Sequence, residues 1–184
     1  MEIMRLVVTG PVGSGKSTLI RSISEIDVVD TDRTATDSTA ELKNKTTVAF
    51  DFGRLTFGSD MVLHIYGTPG QERFDFIWDM LIRKAHAYIL LVSANRPNEF
   101  RYARRVATHM NQLAQIPMIV GLTHTDCPGA WSVENIAIAL GYVDDATRPP
   151  IVSLNPNHAS SVAQALITLV QHYMECSVND KVSA

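Results

Sequence analysis

The chain has few of the features that mark secreted, membrane or nucleic-acid-binding proteins. Only two of its 184 residues are cysteines, Cys127 and Cys176, so a disulfide-rich secreted scaffold is excluded. No apolar run reaches the roughly 18 residues that a membrane-spanning helix needs. The formal net charge of −3 argues against binding nucleic acid through bulk positive charge. There is no signal-peptide pattern at the start and no lipidation box at the end, so we expect a cytoplasmic protein without a membrane anchor.

The composition that remains is that of an ordinary globular domain. Hydrophobic residues make up 46% of the chain and charged residues 19%, which excludes a wholly disordered protein. A chain of 184 residues fits one domain and is long enough to bury a full core. We therefore expect a single folded domain over residues 1–184.

Short apolar segments alternate with segments of helical periodicity along the chain. The predicted strands are Ile3–Thr9, Thr47–Phe57, Met61–Tyr66, Ala87–Ser93, Pro117–Thr123 and Pro150–Leu154. The predicted helices are Lys16–Ile26, Phe74–Lys84, Asn98–Ala114, Trp131–Leu140 and Ser160–Cys176. This alternation predicts an α/β fold, in which helices cover both faces of a mostly parallel six-stranded sheet. The turn Gly58-Ser59-Asp60 is typical of a hairpin, so its two strands should form one antiparallel edge pair.

A long polar segment, Asp27–Thr46, separates the first predicted helix from the second predicted strand. It is rich in threonine and aspartate and has few large apolar residues. Loops of this length inside a compact domain are uncommon and are usually functional. We therefore expect this loop to serve the function of the protein.

The strongest motif lies between the first predicted strand and the first predicted helix. Residues Gly10–Ser17 fit the pattern GxxxxGK[ST] at every fixed position. Glycines let backbone N–H groups curl around phosphate oxygens, and the N-terminus of the following helix favours negative charge. Lys16 would reach the β- and γ-phosphates of a nucleotide, and the Ser17 hydroxyl would bind Mg²⁺. The motif and its position predict a P-loop NTPase.

Four further segments resemble the signatures of the Ras-like small GTPases, in the same order along the chain. Thr47 resembles the switch I threonine, and Gly67–Gln71 resembles the switch II turn. Thr123–Asp126 resembles the guanine motif (N/T)KxD, and Ser153–Asn155 resembles the SAK loop. Two longer stretches are similar to the bacterial MglA-like group, which occurs beside roadblock-fold proteins: TTVAFDFGRL and YGTPGQERFDFIWDML.

The resemblance implies a molecular switch that binds GTP or GDP with Mg²⁺, hydrolyses GTP and controls partner binding. A roadblock-fold regulator or another effector would dock on switch II. Gln71, Lys16 and Thr47 would be the catalytic residues, and Ser17 and Thr47 would hold the metal. The residues assigned to nucleotide binding are Gly10, Gly13, Ser14, Gly15, Lys16, Ser17, Thr18, Gly70, Thr123, His124, Asp126, Ser153, Leu154 and Asn155.

An aspartate at position 126 suits guanine. Its carboxylate can accept hydrogen bonds from guanine N1–H and the 2-amino group together, whereas adenine has neither donor. His124 replaces the usual lysine that packs along the base, and an imidazole can still stack there. Asn155 replaces the SAK lysine, but the important contact in that loop is a backbone N–H, which Leu154 would supply.

Two departures from the Ras-like pattern bear on metal binding and catalysis. Gly67 stands where these proteins usually carry the aspartate that holds Mg²⁺ through water. Asp51 on the neighbouring strand is our candidate metal ligand in its place, the alternative being an ordinary exposed strand aspartate. Val12 replaces a common glycine and would crowd the γ-phosphate, so we expect slow hydrolysis without a partner.

The predicted helix over Phe74–Lys84 has two apolar faces. One face has the spacing of a core: Phe74, Ile77, Trp78 and Leu81. The other carries Phe76 and Met80, which are typical anchors of a partner surface.

Alternatives stay open for catalysis and for the function itself. Arg54 and Arg73 are either internal arginine fingers or plain surface salt bridges. A P-loop kinase of small substrates would need a lid with catalytic arginines, and it would leave Gln71 and Asp126 without a purpose. A nucleotide-locked scaffold that binds GTP but hardly hydrolyses it is the third function that the sequence leaves open.

Overall fold

Six strands and five α-helices alternate in the order that the sequence predicts. They are found in a computed structural model of the protein, which describes residues 2–28, 50–70 and 75–182. The strands are β1 (Glu2–Thr9), β2 (Asp51–Phe57), β3 (Met61–Gly67), β4 (Ala87–Ser93), β5 (Met118–Thr123) and β6 (Ile151–Ser153). The helices are α1 (Lys16–Ile23), α2 (Asp75–Ile82), α3 (Phe100–Leu113), α4 (Val133–Leu140) and α5 (Ala159–Val182).

The strands form one sheet in the order β2-β3-β1-β4-β5-β6. All neighbouring pairs are parallel except β2 and β3, which form an antiparallel pair at the edge. Gly58 takes a φ of +68° in the turn between them, a backbone conformation that glycine adopts without strain. The predicted sheet is therefore confirmed, including its single antiparallel pair.

Each face of the sheet carries its own hydrophobic core. The alternating side chains of β4 show the division, since Leu90 and Val92 face one core and Ile89 and Leu91 face the other. The first core is covered by α2, α3 and α4, and the second by α1 and α5. Helices on both faces were predicted from the alternation of strands and helices, and this arrangement is confirmed.

Several helix ends differ from the periodicity of the sequence. α1 ends at Ile23 rather than Ile26, because Ser24 is extended and its hydroxyl accepts from the backbone N–H of Arg54 in β2. A 3₁₀ turn over Pro97–Glu99 precedes α3. Most of the predicted loop Asp27–Thr46 lies outside the described residues. None of the helices in the described part of the chain has the length and apolar content that crossing a membrane requires.

Candidate functional site

The carboxyl ends of five parallel strands meet at one edge of the sheet. They belong to β1, β3, β4, β5 and β6, so the segments that follow these strands lie close together. Ligands of open α/β sheets bind outside this edge. Four of the five segments contain residues that the sequence assigns to nucleotide binding.

Residues Gly10–Ser17 form a tight loop between β1 and α1. Gly10 has a φ of +142°, and a Cβ added there would lie 2.2 Å from the Leu91 carbonyl oxygen. Gly15, which caps α1, has a φ of +103°. At Gly10 there is no space for a side chain. At both positions the positive φ would strain any residue that has a side chain. The loop therefore depends on the two glycines that its motif fixes.

Lys16 turns back into this loop. The residue is only 8% exposed, and its Nζ donates to the carbonyl oxygens of Gly10 at 2.8 Å and Pro11 at 2.7 Å. Burial lowers the pKa of Lys16 from 10.5 to about 8, although the negative charges of Asp51 and Glu99 oppose the shift. The ammonium group is thus held where bound phosphates would meet it.

A serine and an aspartate from different elements meet beside the loop. The Ser17 hydroxyl donates a hydrogen bond to Asp51 Oδ2. Asp51 is paired with Gly67 across the antiparallel ladder of β2 and β3. A Cβ added to Gly67 would lie 3.2 Å from Asp51 Cβ and 3.3 Å from its Oδ2. The Asp51 carboxylate therefore occupies the space that a side chain at position 67 would enter.

The chemistry of these two side chains fits Mg²⁺. This cation prefers oxygen ligands, and in nucleotide sites it is held by one or two carboxylates together with substrate phosphates. The Ser17 hydroxyl and the Asp51 carboxylate both offer oxygen atoms as metal ligands. They are hydrogen-bonded to each other next to the phosphate loop. Thr47 and Gln71, which the sequence assigns to metal binding and catalysis, lie outside the described residues.

The turn after β3 packs against the phosphate loop. A Cβ added to Gly70 would lie 2.9 Å from Lys16 Nζ. Trp78 Nε1 of α2 donates to the Pro69 carbonyl oxygen at 3.0 Å, and the Tyr102 hydroxyl of α3 donates to the Gly70 carbonyl oxygen at 3.1 Å. Two helices therefore fix the carbonyl groups of this turn beside the loop.

A cavity of about 420 Å³ lies at the ends of β5 and β6. Its lining residues come from two distant segments and the start of α5: His124–Cys127, Ser153–Asn157 and Ser161. The buried Thr123 hydroxyl donates to the Ser14 carbonyl oxygen at 2.9 Å, which ties the first segment to the phosphate loop. Asp126 is exposed, and its carboxylate can accept hydrogen bonds from a ligand. His124, directly after Thr123, has a left-handed backbone conformation with a φ of 57°.

The backbone N–H of Leu154 is engaged in the sheet. It donates to the Leu122 carbonyl oxygen at 2.9 Å, so it already has an acceptor other than the predicted base. The N–H of Asn155 donates to Ser161 Oγ at 2.9 Å, and the N–H of Asn157 donates to Asn155 Oδ1 at 3.0 Å. Leu154 and Asn155 do line the cavity, as their motif indicates.

Two residues beside the phosphate loop are missed by motif analysis. A Cβ added to Gly15 would lie 3.0 Å from Pro156 Cγ, and one added to Gly13 would lie 2.8 Å from Arg96 Nη1. No motif marks either residue. The available signal was position alone, since Pro156 and Arg96 each lie within three residues of the end of a parallel strand.

The two arginines that the sequence offered as internal fingers do not gain support. Arg54 is exposed in β2, three residues from Asp51, and odd spacing in a strand puts side chains on opposite faces. It therefore faces away from Ser17. Arg73 lies outside the described residues.

The core face predicted for α2 is confirmed for its described members. Ile77, Trp78 and Leu81 are buried in the first core, whereas Met80 is 51% exposed. The structure does not describe Phe74 or the side chain of Phe76. The predicted partner surface therefore rests on Met80 among the described residues.

Comparisons with known proteins support nucleotide binding. The family described as "Conserved hypothetical ATP binding protein" matches residues 26–178. An uncharacterized protein of Methanocaldococcus jannaschii is 31% identical over 93 residues, which cover 50% of this chain and 53% of that protein. The Ras-like protein rasS of Dictyostelium discoideum is 30% identical over 120 residues, which cover 63% of this chain and 56% of that protein. The chain thus spans about half the length of these curated relatives.

Among solved structures, the Arl6 BBS3 small GTPase from Trypanosoma brucei, solved with the bound nucleotide analogue GppNp, superposes with a TM-score of 0.72. The match covers 94% of this chain and 98% of that chain at 14% sequence identity. At that identity the likeness establishes the fold alone, which is that of a small GTPase.

Proposed function

We propose that this chain, which belongs to the family described as "Conserved hypothetical ATP binding protein", is a GTP-binding molecular switch that hydrolyses GTP to GDP and phosphate. It is a P-loop nucleotide-binding protein with a small-GTPase fold. One observation carries the proposal: the Thr123 hydroxyl joins the phosphate loop at Ser14 to the cavity beside Asp126. A nucleotide can therefore place its phosphates in the loop and its base in the cavity.

The phosphate loop supplies positive charge for the β- and γ-phosphates. Lys16 is the buried cation, and the N-terminus of α1 adds the dipole of its backbone N–H groups. Ser17 and Asp51 would hold Mg²⁺, together with Thr47 from the undescribed segment. When bound, the metal would neutralise phosphate charge. The pairing of Asp51 with Gly67 supports this assignment, because a carboxylate at position 51 would take the place of the aspartate that position 67 lacks.

The reaction is the attack of water on the γ-phosphorus. A new bond forms between phosphorus and the water oxygen, and the bond to the β–γ bridging oxygen breaks. Its electron pair stays on GDP, and the water proton passes to the released phosphate. Gln71 would orient the water, and Gly70 lies against Lys16 immediately before it. Val12 lies against the same turn, because its Cγ2 would be 2.9 Å from a Cβ added to Gly70. This crowding supports slow hydrolysis without a partner.

The choice of guanine rests on the Asp126 carboxylate, which suits the two donors of that base. ATP is the second candidate, because the family description names it and because the N–H groups of Leu154, Asn155 and Asn157 already have acceptors. In that arrangement no N–H group of these three residues is available to a guanine oxygen.

A partner on switch II is the remaining part of the proposal. Met80 is exposed on α2, whose Trp78 holds the Pro69 carbonyl oxygen beside the phosphate loop. A protein docked on this helix could therefore sense the nucleotide through the turn. The finer likeness to the MglA-like group makes a roadblock-fold regulator in the cytoplasm our candidate.

Nucleotide competition tests the proposal. We expect GTP and GDP, but not ATP, to displace a fluorescent guanine nucleotide from the protein. Asp126→Asn should shift preference towards xanthine nucleotides, because its amide donates where the xanthine carbonyl accepts. Lys16→Ala is the control that should abolish binding of every nucleotide. Equal displacement by ATP would overturn the guanine assignment, and GTP that stays intact in a single-turnover assay would overturn the switch.

A further inference from the structure

The segment between β4 and α3 brings an arginine to the phosphate loop. Arg96 lies against Gly13, because a Cβ added to that glycine would be 2.8 Å from Nη1, 3.5 Å from Cζ and 3.6 Å from Nη2. Gly13 also has a φ of +77°, so any side chain there is strained. The Arg96 side chain is 45% exposed. Its guanidinium group is thus in contact with the loop and still accessible to a ligand.

The present ion pair of Arg96 is a weak one. Its Nη1 lies 3.4 Å from Glu99 Oε1, whereas strong charge-assisted hydrogen bonds are about 2.7–2.9 Å long. The negative charge of Glu99 also raises the pKa of Lys16, against the larger effect of burial. Glu99 therefore acts as a counter-charge for two cations of the site, Arg96 and Lys16.

Buried polar atoms without a hydrogen-bond partner gather around this segment. In the described part of the chain, four of the five such side-chain atoms belong either to the phosphate loop or to residues 93–99. They are Ser14 Oγ, Ser93 Oγ, Asn95 Oδ1 and Glu99 Oε2. Unpaired buried polar atoms are unfavourable, so each of these atoms can gain a hydrogen bond from a polar group bound here.

We propose that Arg96 is a catalytic residue that leaves Glu99 for the nucleotide phosphates and stabilises the charge of the transition state. A guanidinium group binds phosphate oxygens in bidentate fashion, and the phosphates carry more negative charge than one carboxylate. Charge builds up on the β–γ bridging oxygen as its bond to the γ-phosphorus breaks. Arginines that meet this charge accelerate phosphoryl transfer by roughly 10³–10⁵-fold. The inference rests on the proposed hydrolysis of GTP.

The first test compares single-turnover hydrolysis of Mg²⁺·GTP by matched arginine variants. We expect Arg96→Ala to lower the rate constant at least about tenfold, because the charge stabilisation is lost. Arg96→Lys should restore only part of the rate, since an ammonium group cannot bind in bidentate fashion. Arg101→Ala removes an exposed arginine of α3 and should leave the rate unchanged. Affinity for GDP should stay within about twofold in all three, as expected for a contact made in the transition state.

The second test separates a phosphate contact from a structural salt bridge. Glu99→Gln removes the carboxylate partner of Arg96 while keeping its shape. If Arg96 acts on phosphate, Arg96→Ala should slow hydrolysis in the Glu99→Gln background at least as much as in the wild type, because the arginine no longer has to leave a carboxylate. An effect that disappears in the Glu99→Gln background, or a rate that Arg96→Ala leaves unchanged, overturns the role of Arg96 and leaves the switch intact. A wild-type protein that does not hydrolyse GTP overturns both.

Discussion

Moving the proposed metal carboxylate from one strand to its neighbour tests the most unusual feature of the site. Asp51 and Gly67 are paired across β2 and β3. An added Cβ at position 67 would lie 3.3 Å from Asp51 Oδ2, so an aspartate there would place its carboxylate in the same region. The double variant D51G/G67D makes this exchange. The atom nearest to the new Cβ would be the flexible end of Ile20, whose Cδ1 would lie at 2.8 Å.

The size of the effect follows from one charge-assisted contact, which the Asp51 carboxylate would make to the metal or to a water bound to it. A hydrogen bond to a charged group contributes about 1.5–3 kcal/mol. Losing an interaction of that strength corresponds to about a 10–150-fold weaker affinity of the GTP complex for Mg²⁺. The single variant D51G also places glycine in a strand, which costs roughly 0.5–1 kcal/mol of stability. For a chain of this length, that cost lowers Tm by about 1–4 °C.

The assay is a Mg²⁺ titration of each variant in the presence of a fluorescent GTP analogue. We expect D51G to need more Mg²⁺ and D51G/G67D to return towards the wild-type midpoint. D51N is the matched control, because it keeps the shape of the side chain and removes only its charge, and it should resemble D51G. A midpoint that is the same in the wild type and in D51N would refute the assignment of Asp51 as a metal ligand. Melting curves of the same samples separate metal binding from folding.

Two further predictions concern Lys16 and Trp78. Because burial lowers the pKa of Lys16 to about 8, a rise in pH through that value removes the charge that binds phosphate. Nucleotide affinity should then fall by up to about tenfold per pH unit. Binding should also take up a proton, which calorimetry in two buffers measures. The empty protein should instead gain stability between about pH 8 and 10.5, where the unfolded chain binds more protons. Trp78→Phe leaves the Pro69 carbonyl oxygen without its donor, which should cost about 1–3 kcal/mol and lower Tm by roughly 2–12 °C. An unchanged Tm would show that this hydrogen bond does not hold the turn.

The sequence alone was sufficient for the features that depend on neighbouring residues. The alternation of apolar and amphipathic segments predicts the six strands and five helices, because burial on a sheet and on a helix face impose different periods. The motif over Gly10–Ser17 predicts a phosphate loop, because its backbone conformation requires glycine at fixed places. Both inferences concern residues within a few positions of one another.

Contacts between distant residues were decided only by the tertiary structure. The pairing of Asp51 with Gly67 depends on the register of two strands, and a shift of one residue would turn the carboxylate to the opposite face. The N–H of Leu154 is engaged because β6 extends alongside Leu122, which no local motif reveals. Arg96 reaches Gly13 across 83 positions of sequence, because β4 follows β1 in the sheet and their loops share an edge. Such contacts depend on strand register and packing. Both are set by the whole sheet and not by any single residue.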